Sequence, residues 1–251
     1  MAEPEGAAPS AAETDDAEPH PHEPHDKSFA GRLNWLRAGV LGANDGIVST
    51  AGLVIGVAAA TTNRGAILTA GLAGLAAGAM SMAVGEYVSV STQRDGERSL
   101  IQKEIRELRE MPEQELAELT QLYEAKGLSA SLAHRVAVEL TEHDALAAHA
   151  EVELGIDPEN LTNPWHAAWA SMVAFTVGAI LPLLAIVLPG APWRVPVTVV
   201  AVVVALAFTG WLSARLGEAD ARKATARVVV GGLVAMAVTY AIGSLVGTQV
   251  G

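Results

Sequence analysis

The sequence predicts an all-α membrane protein: five transmembrane helices, with a three-helix cytoplasmic domain inserted between spans two and three. Three observations carry that expectation. The 251-residue chain has a mean hydropathy of +0.31, with 51% hydrophobic residues against 18% charged, which is apolar for a soluble domain. Five apolar stretches are each long enough, at 1.5 Å rise per residue, to cross a hydrocarbon core of about 30 Å. The charge is segregated, since of 28 acidic residues 8 fall within residues 1–30, 16 within residues 92–164 and only 4 elsewhere.

Residues 1–30 come first. They are rich in Ala, Glu, Pro and His and hold no apolar run that could offset the entropy of ordering them, so they read as a disordered acidic tail. No signal-peptide core is present there, which puts the start of the chain in the cytosol. His20, His22 and His25 lie in this tail without a scaffold, and a solvated tail explains them better than a metal site does.

Residues 31–91 hold spans one and two, Ala38 to Ala60 and Ala66 to Val90. Residues 165–251 hold spans three to five, His166 to Leu188, Val195 to Leu212 and Val228 to Val246. Short connections containing Asn63 and Pro189-Gly190 make helical hairpins of spans one and two and of spans three and four. Lys and Arg beside spans stay cytoplasmic. Lys27, Arg32 and Arg37 precede span one, seven basic residues separate spans two and three, and Arg215, Arg222, Lys223 and Arg227 separate spans four and five, against only Arg64 and Arg194 on the other side. The N-terminus is therefore expected inside and the C-terminus outside.

Residues 92–164 form the cytoplasmic domain. Arg94 to Arg109 continues span two, with Leu100, Ile101, Ile105 and Leu108 near helical spacing. Pro112 suits the first turn of a second helix, Glu113 and Glu115 favour its positive end, and Gly127 stops it. Ser129 can cap a third helix that ends at Gly155, before Pro158. A bundle this small buries little core, so oligomerisation is expected to support it.

Composition also excludes functions. With no cysteine, disulfides, thiolate metal sites and cysteine nucleophiles are ruled out, leaving oxygen, imidazole and thioether ligands. A net charge of -12 leaves no basic surface to neutralise phosphates, so no nucleic-acid partner is expected. No nucleophile-base motif, phosphate loop or His-Glu-x-x-His pattern supports an enzyme.

Within the spans only Asp45 and Glu86 are acidic, and none of the residues there is Lys or Arg. A charge at bilayer depth costs at least about 2.5 kcal/mol, which makes each a candidate functional residue. The bland alternatives are a local turn at Asp45 beside Gly46 and an interfacial position for Glu86. Gly74, Gly78, Met82 and Glu86 recur every fourth residue and share one helix face. With Gly42, Gly46, Gly52 and Gly56 on span one, this small-residue pattern predicts close packing of spans one and two, including across a dimer axis. A thioether beside two carboxylates suits a borderline divalent metal better than Na⁺ or Mg²⁺. In the cytoplasmic domain Glu104 with Glu107, Glu115 with Glu118, and His149 with Glu153 each share a helix face. Facing helices build di-metal sites from such pairs, although a solvated acidic surface would look the same in sequence.

The stretch Arg37-Ala-Gly-Val-Leu-Gly-Ala-Asn-Asp-Gly-Ile-Val-Ser-Thr-Ala and the stretch Gly78-Ala-Met-Ser-Met-Ala-Val-Gly-Glu-Tyr-Val-Ser-Val resemble the first two helices of the vacuolar iron transporter family. The resemblance runs from about Leu36 to the C-terminus. It implies a homodimer in a lipid bilayer that moves Fe²⁺, and often Mn²⁺, out of the cytosol in exchange for protons. No resident cofactor is expected, and Zn²⁺ is a further candidate ion for such ligands. It implies a metal pathway through Asp45, Met82 and Glu86. It also implies a cytoplasmic cluster of Glu104, Glu107, Glu115 and Glu118, whose three-eight-three spacing matches the family's, joined by Glu153 in a Glu-Leu-Gly element. Where some members carry paired methionines, this chain has His149 and Ala150. Imidazole in place of thioether keeps a ligand while changing metal preference, and imidazole is the side chain that ordinarily titrates near neutrality.

Arg outnumbers Lys 12 to 4 in an Ala- and Val-rich chain, which suggests a bacterial source and hence the cell membrane, with a vacuolar membrane expected if the source is eukaryotic. The competing expectation is a membrane-anchored metal sensor or storage adaptor that transports nothing. Asp45 separates the two, because a plain anchor has no reason to carry a buried acid.

Overall fold

The computed structural model describes residues 28–217 and 219–250, with side chains over 38–217 and 219–248. Its elements are α1 (Ser28–Ala60), α2 (Arg64–Glu110), α3 (Pro112–Ala125), α4 (Ala130–His149), a single π-helical turn (Ala150–Leu154), α5 (Pro164–Val187), a 3₁₀ turn (Ala191–Trp193), α6 (Arg194–Leu216) and α7 (Ala221–Val250). No strand occurs among the described residues. Among the described residues five helices, α1, α2, α5, α6 and α7, are long and apolar enough to cross a membrane. The expected histidines of the tail, His20, His22 and His25, lie outside the described residues, and α1 already begins at Ser28.

Local chemistry sets the boundaries. The Asn63 side chain accepts from the backbone N–H groups of Gly65 and Ala66 at 2.9 and 3.1 Å, opening α2. Asn163 does the same for Trp165 at 3.0 Å, with Pro164 in the first turn of α5. Pro112 opens α3, and Gly127 at φ 101° closes its end. Gly155, in the left-handed region at φ 64°, ends the π turn, where the Ile156 N–H donates to the Ala150 carbonyl at 2.9 Å. Ser129 occupies the start of α4 as expected, but its side chain makes no capping hydrogen bond.

The other four long helices, α2, α5, α6 and α7, surround α1. Ile47, Ala51, Val54 and Ile55 of α1 form the core with Ile67 of α2, Leu183 and Ile186 of α5, Val202 and Leu206 of α6, and Met236 of α7. Within the single chain, the expected glycine seam between spans one and two is corrected. The closest backbone approach of α1 is to α5 and α7. A methyl group at Gly46 would run into the Phe175 carbonyl, one at Gly178 into the Ala43 carbonyl, and one at Gly243 into the Gly56 carbonyl. The glycines of α2 receive side chains instead, Gly74 that of Leu53 and Gly78 the Phe175 ring. A small residue states that something comes close without stating which helix does.

The two connections at one end of the bundle are tied together. Arg64 donates to the Pro189 carbonyl at 3.2 Å, and the buried Arg194 donates to the Thr62 carbonyl at 2.8 Å. At the other end α2 leaves the bundle. Its 47 residues span about 70 Å at 1.5 Å each, more than twice a hydrocarbon core of about 30 Å. The distal half, with α3, α4 and the π turn, forms a small head around Leu119, Ala137 and Ala148, backed by Leu116, Tyr123, Leu140 and Val152.

Candidate metal centre

The head buries charge that its core does not require. Glu104 projects from the extension of α2, Glu115 from the first turn of α3, and His149 from the last turn of α4. All three are buried, at 2%, 5% and 0% exposure, and one ligand atom from each lies within 4.8 Å of the others. From His149 Nδ1 it is 3.0 Å to Glu104 Oε1, 3.7 Å to Glu115 Oε2 and 3.8 Å to Glu153 Oε2. Despite that proximity, Glu104 Oε1 and both His149 ring nitrogens make no hydrogen bond of acceptable geometry. Buried polar atoms are nearly always satisfied, and an orphaned group costs about 1–3 kcal/mol. Donor atoms that converge without bonding one another are arranged as a cation would need them. Two carboxylates and an imidazole suit a borderline divalent ion.

Electrostatics agree. Burial first, and then the carboxylates of Glu153, Glu115, Glu107 and Glu118, raise Glu104 from the ordinary 4.5 to about 7. Burial also raises Glu115, helped most by Glu118 and opposed by His149. A cation at the centre opposes both shifts, because metal coordination favours the deprotonated ligand.

The other expected ligands of the head stand differently. Glu153 flanks the centre from the π turn, four residues beyond His149. Glu107 pairs with Lys103 at 2.8 Å, while Glu118 contributes charge to Glu104 and Glu115 without joining the three converging ligand atoms. The carboxylate raised to about 7, that of Glu104, is one for which sequence spacing carries no such signal.

A second candidate site lies in the bundle. Asp45 and Met82 line a cavity of about 180 Å³ with Ser49, Thr50, Ser81 and Phe175. α1 runs through Asp45 as continuous helix, so the acid caps no turn there. Ser49 donates to the Asp45 carbonyl at 2.5 Å, and Asn44 beside it accepts from Thr209 of α6 at 3.0 Å. Asp45 is nevertheless exposed on the wall of the single chain, and Glu86, half-buried one turn past Met82, does not line the cavity. Sequence reasoning missed Ser49, Ser81 and Phe175. The hydroxyl four residues after Asp45 was a usable signal, whereas Phe175 comes from a helix more than a hundred residues away.

The sequence profile described as the VIT family matches residues 36–244. The chain is 42% identical over 220 residues to a vacuolar iron transporter of Acanthamoeba castellanii, covering 87% of this chain and 81% of that protein. It is 39% identical over 220 residues to vacuolar iron transporter homolog 2 of Arabidopsis thaliana, covering 87% and 88%. To vacuolar iron transporter homolog 5 of Oryza sativa subsp. japonica it is 39% identical over 215 residues, covering 85% and 81%.

Proposed function

The chain belongs to the VIT family, a family of transporters and not of enzymes, and from that premise we propose that it exports Fe²⁺, with Mn²⁺ as a second cargo, from the cytosol in exchange for protons. The observation that carries this is the cavity that Asp45 and Met82 line together on the wall of a bundle of five apolar helices. A sensor or storage adaptor would use the head and have no need of an acid at membrane depth. The head, on the cytoplasmic side by the distribution of basic residues, captures the ion at Glu104, Glu115 and His149 with Glu153 at its edge. Glu107 and Glu118 lend negative charge to the same face. Glu86 lies between head and cavity along α2 and passes the ion to Met82 and Asp45.

Proton exchange follows from ligand chemistry, since a carboxylate does not hold a proton and a metal ion together, and acid on the far side releases the cargo. The working unit is a homodimer. Asp45 stands open on the wall of one chain, and a second copy covering that wall would shield it from lipid. The membrane is the cell membrane of a bacterium, or the vacuolar membrane in a eukaryote. Proteoliposomes supply the test: Fe²⁺, kept reduced, accumulates faster in vesicles with an acidic lumen than in vesicles without a pH gradient. Equal rates overturn proton exchange, and no protein-dependent flux overturns transport in favour of the adaptor.

A further inference from the structure

We infer that Asp144 is a positioning residue for the metal centre: its break in α4, and its cap on the helix that restarts there, turn His149 and Glu153 into the groove where Glu104 and Glu115 meet. This rests on the metal-binding reading of that cluster. Asp144 has φ −159° and ψ 94°, extended values inside an otherwise helical segment. Its Oδ1 accepts from the backbone N–H of Ala147 at 2.9 Å. That is the bond by which an N-terminal cap satisfies the third residue of a new helix, and Asp is among the residues that do so best. α4 is thus two helices joined at one exposed residue.

The consequence shows in burial. Before the break Ala133 and Ala137 are buried four residues apart, as in a helix lying against one neighbour. After it Ala148, His149 and Ala150 are buried in succession, at 8%, 0% and 0% exposure. One neighbour cannot enclose three consecutive residues of a helix, because they point about 100° apart. The restarted segment must lie in a groove with walls on both sides, here α2 bearing Glu104 and α3 bearing Glu115. The π turn follows at once and carries Glu153, while Gly155 in the left-handed region ends it. Asp144 itself is exposed and touches none of the converging ligand atoms, so it acts through the backbone.

Two substitutions in the full-length protein in detergent separate cap from charge. Asp144→Asn loses the charge and keeps the cap, whereas Asp144→Glu keeps the charge and reaches the Ala147 N–H poorly. The probe is Co²⁺, whose visible absorption reports the ligands around it. Asp144→Asn is expected to bind Co²⁺ within about twofold of the parent protein and with the same spectrum. Asp144→Glu is expected to bind about tenfold more weakly, the equilibrium weight of one cap, with an altered spectrum and unchanged helical circular dichroism. Equal behaviour of the two variants, weak or strong, overturns the inference. Glu115→Gln is the reference. Loss of Co²⁺ there together with parent-like binding by Asp144→Glu sinks the positioning role alone, while parent-like binding by Glu115→Gln sinks the centre and this inference with it.

Discussion

At the scale of single residues the centre is a balance of burial against charge. Glu104 is nearly inaccessible and shares its pocket with Glu115, His149 and the edge of Glu153, so ionising it without a cation is costly. With its folded value raised to about 7 against the ordinary 4.5, the sign is fixed. Between about pH 4.5 and 7 the folded protein keeps a proton that the unfolded chain has released, so metal-free stability is complete below that window and falls as pH rises through it. Thermal unfolding in chelator should show the midpoint declining across that range, and Glu104→Gln should flatten the decline. A divalent ion should reverse the trend, because its affinity grows as the carboxylates deprotonate. Calorimetry on the same variant should give at least about tenfold weaker binding, since a charged ligand has become neutral. The pairs on each helix were legible from their spacing, whereas the Lys103–Glu107 contact came from the structure. Which members converge was not, because that depends on how three helices pack and on the break at Asp144, a position that in sequence is one more acid in an acidic segment.

At the scale of elements, punctuation was legible and partnership was not. Asn63, Pro112, Gly127 and Gly155 mark helix ends in sequence and in structure alike, because each acts on its own backbone; the Asn163-Pro164 start of α5 was passed over in sequence. The small residues of α1 act on a distant helix, and sequence assigned them to α2 when the structure gives them to α5 and α7. That difference can be measured. Gly46→Ala and Gly178→Ala place a methyl group against backbone carbonyls, which cannot yield as a side chain can. Each should destabilise by about 1–3 kcal/mol in thermal or denaturant unfolding. Gly39→Ala meets nothing within 4 Å and should be neutral or stabilise by up to about 1 kcal/mol, the ordinary gain of Ala over Gly inside a helix.

At the scale of the whole molecule, five apolar spans joined to a charged head were legible from hydropathy and charge segregation alone, since both are sums over many residues that no single contact can overturn. The proposed sidedness is open to a direct check because the chain has no native cysteine. A single cysteine at Ser99 should react with an impermeant thiol reagent only from the cytoplasmic side, and one at Thr61 only from the other. In the proposed function the cavity of Asp45 and Met82 is the passage that the head feeds. The most direct test is Fe²⁺ flux into acid-loaded proteoliposomes bearing Asp45→Ala, with dimer content and metal binding by the head measured on the same preparation. Flux at the background of protein-free vesicles, from a dimer whose head still binds metal, is the predicted result; flux equal to that of the unaltered protein would contradict the assigned passage.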